Sequence, residues 1–269
     1  MIHMKKEYDR SEGKIADKIF QFPEVYSSIG RNALKNNIRI RSVDLNRIRH
    51  IEPFAFAGCT TLRQVNLRNC IRLGKGAFSN CVNLKSIQIP ESLIVMEPMV
   101  FSNCKRLSEV TFCGTVYAVE KLEKESFLGC SSLKRIKIPR KIEVIGERAF
   151  YRCMELEEVL LPVSLKEIKR EAFYQTGLKE LELPEGLKKI GDSAFLKCKQ
   201  LEYVRIPDTV DVIEKWAFHG CPRLKVLEIH QDLKQIGPWI TNKSCTIRCK
   251  KGTKTEQYCK EYDIRCEYI

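Results

Sequence analysis

One spacing constrains this chain more than any other. A phenylalanine returns at Phe56, Phe78, Phe101, Phe127, Phe150, Phe173, Phe195 and Phe218, in steps of 22, 23, 26, 23, 23, 22 and 23 residues. Each sits in the same frame. In residues 142–162 (IEVIGERAFYRCMELEEVLLP) the frame runs Ile142, two spacers, Ile145-Gly146, two spacers, Ala149-Phe150, two spacers and Cys153, then Leu156, Val159 and Leu161 before Pro162. A unit this small cannot bury its apolar face alone and does so by stacking on copies of itself, which is the signature of a solenoid. The 269 residues are therefore expected to form one elongated domain rather than separate globular ones.

Within each unit the segment from Leu to Pro alternates apolar and polar residues, as in LKSIQIP at 84–90, LKRIKIP at 133–139, LEEVLLP at 156–162, LKELELP at 178–184 and LEYVRIP at 201–207. Alternation at period two predicts a strand with one buried face, and the closing proline ends it because it cannot donate to a ladder. A second, shorter apolar pair such as Ile142 and Ile145 follows, with Gly74, Gly146 and Gly191 just after it where a turn is expected. The Ala-Phe-x-x-Cys part is read as a helical or 3₁₀ turn pointing Phe and Cys inward. The 26-residue step predicts a bulging loop near Tyr117.

Residues 1–47 precede the first evident repeat. Ile15, Ile19 and Phe20, then Val25, Tyr26, Ile29, Ala33 and Leu34, fall three and four apart and predict short helices, with Pro23 in a first turn and a first strand over 38–47. This yields an N-terminal helical cap over 1–47, eight repeats over 48–232 and a C-terminal cap over 233–269, where a strand (245–249), a helix (253–262) and a final strand (264–268) are expected.

Seven of the 13 cysteines are repeat letters: Cys59, Cys81, Cys104, Cys130, Cys153, Cys198 and Cys221 each follow the phenylalanine by three. Thr176 stands there in the sixth repeat. A position taking Cys or Thr behaves as a small core side chain, so reduced buried thiols are expected rather than disulfides. The net charge of +13 is spread along the chain, with residues 1–47 carrying +4, 48–240 carrying +6 and 241–269 carrying +3. Such a dispersed excess is not a phosphate-binding stripe, and no nucleic-acid partner is expected. The polar start and the lack of a long apolar run predict no membrane span and a cytosolic location.

The recurring letters I-G-x-x-A-F-x-x-C-x-x-L-x-x-I-x-I-P resemble the BspA-like class of leucine-rich repeats over residues 48–269, and the ending GTKTEQYCKEYDIRCEYI is similar to the closing segment of such arrays. The resemblance implies an α/β repeat solenoid with a parallel sheet along one side. It implies a role in recognition, adhesion included, and the secreted or cell-surface location of many members as the alternative to the cytosol. It brings no catalytic motif.

The chain carries no recognisable catalytic constellation. The four histidines, His3, His50, His219 and His230, form no triad pattern, and His219 and His230 occupy variable repeat positions expected to be solvated. Gly74-Lys75-Gly76 and residues 250–255 (KKGTKT) lack the glycines of a phosphate loop. Cys245, Cys249, Cys259 and Cys266 do not have paired zinc-knuckle spacing, which favours packing, with a zinc site in this cap as the alternative. No enzyme activity, cofactor or metal is expected.

What the repeat leaves variable is the outward side of its strands. In repeats four to eight this face presents Arg135, Lys137, Glu158, Leu160, Glu180, Glu182, Tyr203, Arg205, Val226 and Glu228. Charges of both signs around apolar residues suit a protein partner. The expectation is a monomeric, non-enzymatic interaction module binding a protein through this face, with weak binding of anionic polymers as a second alternative.

Overall fold

The computed structural model describes residues 6–8, 19–114 and 118–269. Each repeat makes one coil of a solenoid, in most coils with two strands and a turn segment. The Leu-to-Pro segment forms the longer strand: Ser86–Ile89 and Tyr203–Ile206 run exposed, buried, exposed, buried, as the alternation requires. The short apolar pair forms a two-residue strand such as Val144–Ile145, with the isoleucine inside. Every strand pairing among the described residues is parallel and joins one coil to its neighbour.

The short strands stack into two ladders, five from Lys6–Tyr8 to Val95–Met96 and six from Lys121–Leu122 to Gln235–Ile236. The break between them falls at the longest repeat, and the bulge expected near Tyr117 lies outside the described residues. The long strands form shorter groups: Ile19–Gln21, Ser42–Asp44 and Gln64–Asn66; Ser86–Ile89 with Glu109–Phe112; Arg135–Lys137 with Glu158–Leu160; and Tyr203–Ile206, Val226–Ile229, Thr246–Cys249 and Cys266–Tyr268.

All eight repeat phenylalanines are fully buried. Their rings stack from coil to coil with centroids 5.1–5.7 Å apart and planes within 12° of parallel. That spacing is close to the ~4.8 Å between neighbouring strands, so the ring column is a direct consequence of the coil rise. Beside it runs a sulfur column. The thiols of Cys81, Cys104, Cys130, Cys153, Cys198 and Cys221 each donate to the carbonyl of the phenylalanine one coil back at 3.1–3.2 Å, and Cys59 does so to Leu34. Thr176 uses its hydroxyl on the Phe173 carbonyl at 3.1 Å. The position thus selects a small side chain that donates, which is more specific than a small apolar one. Burial pushes the Cys59 thiol up to about 12 and holds those of Cys81, Cys104 and Cys130 well above the ordinary thiol range. All thirteen cysteines are free.

Four sequence expectations need correction. The helices over 15–34 are not present among the described residues: Ile19–Gln21 and Tyr26–Ile29 are strands. Ile29-Gly30-x-x-Ala33-Leu34 carries the repeat frame with leucine for phenylalanine. Ile29 pairs with Ile51, and the Leu34 N–H donates to the Ala55 carbonyl at 2.8 Å. The spacing of three and four that suggested a helix belongs to the repeat itself.

The Ala-Phe-x-x-Cys segment is not a 3₁₀ helix either. The residues two before and two after every repeat phenylalanine have positive φ, including Arg148 (55°), Arg152 (59°), Glu171 (54°) and Gln175 (55°). Left-handed residues at these intervals break the helix, so N–H groups alternate in direction. Those of Phe54, Phe56 and Gly58 reach carbonyls of the next coil at 2.7–2.9 Å, while those of Ala55, Ala57 and Cys59 bond back three residues.

Residues 178–184 do not form a strand. The sixth repeat lacks one residue between Thr176 and Leu178, and Gly177 passes so close to the previous coil that a Cβ would lie 2.5 Å from the Met154 carbonyl oxygen. Finally, Gly74, Gly146 and Gly191 are needed for close approach between coils rather than for a turn. A Cβ on Gly146 would sit 2.5 Å from the Leu122 carbonyl oxygen.

At the C-terminal end the expected strand, helix and strand appear as Thr246–Cys249, Lys254–Tyr262 and Cys266–Tyr268. Thr253 caps the helix by accepting from the Glu256 N–H, and the Tyr258 hydroxyl accepts from the Ile240 N–H at 2.9 Å, fastening helix to solenoid.

Candidate partner-binding face

The variable letters of the long strands do face outward. Arg135, Lys137, Glu158, Glu180, Glu182 and Arg205 are exposed, Leu160 and Tyr203 are about half exposed (49% and 47%), and Val226 and Glu228 are half-buried. The face is not a uniform sheet. Where the long-strand groups part, neighbouring coils leave open grooves lined by these side chains.

One groove of about 500 Å³ lies between Glu109–Phe112 and Arg135–Lys137, walled by Thr111, Arg135, Lys137, Arg140, Glu158 and Leu160. A second, of about 760 Å³, follows the interrupted segment 179–183 and is walled by Lys179, Glu180, Glu182, Glu202, Tyr203, Arg205 and Arg223. A third, of about 600 Å³, lies at the earlier break between Gln64–Asn66 and Ser86–Ile89 and is lined by uncharged polar side chains such as Gln64, Asn66, Ser86 and Gln88 together with Arg68, Glu91 and Glu109.

Charge differs between the first two grooves. Several groups in the second are already paired: Lys179 to Glu157 at 2.9 Å, Arg223 to Glu202 at 2.7 Å and Arg205 to Glu185 at 3.4 Å. Exposed pairs of this kind are worth little to stability, about 0–1 kcal/mol, so they mainly set local charge. Among the described residues, Arg135 and Lys137 in the first groove and Glu180 and Glu182 in the second have no ion-pair partner. The face thus runs from the cations Arg135 and Lys137, past Glu158 and exposed Leu160, to the unpaired carboxylates Glu180 and Glu182, with Tyr203 beyond.

Tyr203 and Glu228 act as a unit across adjacent strands. The tyrosine hydroxyl donates to Glu228 at 2.5 Å, and His230 lies 2.6 Å from the other carboxylate oxygen. These two bonds hold the Glu228 carboxyl below its ordinary range, and the carboxylate in turn raises the tyrosine. His230, expected to be solvated, is instead tied into the face. Sequence reading passed over it because its link to Glu228 is a contact across one residue at a strand end. Other wall residues it missed, such as Arg140, Glu202 and Arg223, lie after a strand-ending proline or before the strands, outside the period-two pattern.

A second exposed strip runs along the turn segments. Tyr151 and Tyr174 stack at 4.5 Å, Lys215 lies over the ring of Trp216, and Trp216 and Trp239 are partly exposed. Both tyrosines directly follow a repeat phenylalanine, so this adjacency was legible in the letters. Among the described residues no group of three or more His, Cys, Asp or Glu is arranged to hold a metal ion. No described helix is long and apolar enough to cross a membrane.

Comparison with known families agrees with the coil geometry. The family model described as a BspA type leucine rich repeat region matches residues 17–122 and 120–248. The chain belongs to the BspA-type leucine-rich repeat family. The match begins well before residue 48, in keeping with the extra coil around Leu34. Among solved structures, the chain is similar to the pneumococcal vaccine antigen PcpA (15% identity, 98% of this chain and 82% of that one, TM-score 0.55). It is also similar to a leucine rich cell surface protein from Faecalibacterium prausnitzii (20% identity, 86% and 69%, TM-score 0.53). At such identities the likeness concerns the fold alone. No curated protein matches the chain.

Proposed function

We propose that this BspA-type solenoid is a non-enzymatic recognition module that binds a protein segment along the long-strand face from residue 135 to residue 228. The observation that carries the reading is the order of unpaired charge along the face. Arg135 and Lys137 stand on one coil, Glu158 and Leu160 on the next, Glu180 and Glu182 on the one after, and Tyr203 beyond. With coils ~4.8 Å apart, these positions span about 15 Å, a length that an extended segment of five or so residues covers. Such a segment would present acidic groups to Arg135 and Lys137, apolar side chains to Leu160, and basic groups to Glu180 and Glu182. Extended sheet surfaces are the usual working surface of solenoids, and exposed tyrosine is favoured at binding centres.

Adhesion is the finer reading, supported by the surface and antigen descriptions of the two structural neighbours. Thirteen free cysteines, seven in a column that uses the S–H as a donor, support a reducing compartment inside the cell. A thiol count on protein taken from its source separates the two locations.

Selection of a displayed random peptide library against the immobilised protein tests the binding face. Peptides enriched for an acidic–apolar–basic order are expected, and the double variant Arg135→Glu, Lys137→Glu should reverse the charge selected at that end. Enrichment indifferent to this variant and to Leu160→Ser would place binding elsewhere.

A further inference from the structure

The cysteine column points its thiols at carbonyls within the core, but one sulfur pair near the C-terminal end is arranged differently. Cys249 closes the strand Thr246–Cys249 and Cys266 opens the neighbouring Cys266–Tyr268, and their sulfurs lie 3.4 Å apart. The register pairs Ile247 with Cys266 and Cys249 with Tyr268, so the two cysteines are diagonal neighbours on one face of the sheet. Cys249 is buried, whereas Cys266 is half-exposed and sits on the last strand of its sheet, bonded on one side only. A disulfide needs sulfurs ~2.05 Å apart, and an edge strand can supply the remaining approach of about 1.4 Å without disturbing a second ladder.

We infer that Cys249 and Cys266 form a redox-active dithiol that closes to a disulfide by exchange with a small disulfide oxidant such as oxidised glutathione. The accessible Cys266 sulfur attacks one sulfur of the oxidant, breaking its S–S bond and releasing one glutathione thiol. The Cys249 sulfur then attacks the Cys266 sulfur of the mixed disulfide and expels the second glutathione. Two protons and two electrons leave the cysteine pair, and two glutathione thiols carry them away, so the exchange balances. Burial, with the neighbouring Cys266 sulfur, holds the Cys249 thiol up at about 12, and the more accessible Cys266 is the sulfur that meets the oxidant first.

The consequence is structural. The bridge would clip the ends of the segment that contains the helix Lys254–Tyr262, closing a loop between residues 17 positions apart. On the chain-entropy view, a loop of this size lowers the population of the opened C-terminal coil about a hundredfold. The inference is independent of the binding face.

The test is to equilibrate the purified full chain with oxidised and reduced glutathione at graded ratios, quench with an alkylating agent, and read thiols by peptide mass spectrometry. Hydrogen exchange of residues 246–268 is followed in parallel. The expected result is a 249–266 linked peptide, appearing before any column cysteine reacts, with exchange of the helix slowed about a hundredfold. Cys259→Ser should still form the link. Cys266→Ser, a change at a half-exposed edge position, should leave Cys249 reduced. Three outcomes would overturn the inference: Cys266 alkylated throughout at excess oxidant, Cys266 stopping as a stable glutathione adduct, or Cys259 taking the place of Cys249.

Discussion

Truncation of Phe150 to alanine probes whether stacked coils, rather than local turns, hold this molecule together. The ring is fully buried between Phe127 and Phe173, with centroids 5.6 and 5.1 Å away. A buried aromatic side chain withdraws ~150–250 Å² from water, equivalent to about 4–6 kcal/mol at ~25 cal/mol/Å². Alanine retains part of that and leaves a cavity that the column cannot close, because each coil is pinned to its neighbours by backbone bonds. A loss of about 3–5 kcal/mol is therefore expected. Phe150→Leu should cost only about 1 kcal/mol, since Leu34 already fills the same column position in its own coil. Urea unfolding gives the totals, and hydrogen exchange gives their location. In a nearest-neighbour array, protection should fall in the coils of Phe127 to Phe173 and persist near Phe218. A loss below about 1 kcal/mol for alanine, or a uniform fall in protection from end to end, would refute the stacked-coil argument.

Other positions test other parts of it. Gly146→Ala should destabilise by about 1–3 kcal/mol in urea unfolding, because its Cβ would press on the Leu122 carbonyl of the coil before. Gln175→Gly should stabilise by about 0.5–1 kcal/mol: glycine relieves the left-handed backbone at φ 55°, and part of the gain is offset by a freer unfolded chain. The Glu256 carboxyl is lowered from 4.5 to about 2, first by Lys260 and then by the Gly252 N–H and the Tyr268 hydroxyl. A depressed carboxyl contributes stability that is complete above its unfolded value and is lost as pH falls through the folded one. Protection of the helix Lys254–Tyr262 should therefore decline between pH 4.5 and about 2, and Glu256→Gln should flatten that decline.

Much of this could be read in the letters because a repeat states the same physical requirement many times over. The phenylalanine and cysteine columns, the outward strand letters and the closing strand–helix–strand all follow from period and alternation. The failure at the N-terminal end has a definite cause. Residues 19–34 matched a helical spacing that is equally the spacing of the repeat frame, and with Leu34 replacing phenylalanine and Asn37 replacing cysteine the coil lost its two most recognisable letters. The sequence alone determined that the chain must be a stack of like coils, since only neighbouring copies can bury such a unit. Only the tertiary structure decided where the long strands lose their pairing and open into grooves. It also decided which residues take up left-handed backbone, and that Tyr203, Glu228 and His230 form one linked group. Those features depend on how far each coil is offset from the next, a distance between chain segments that no single repeat encodes.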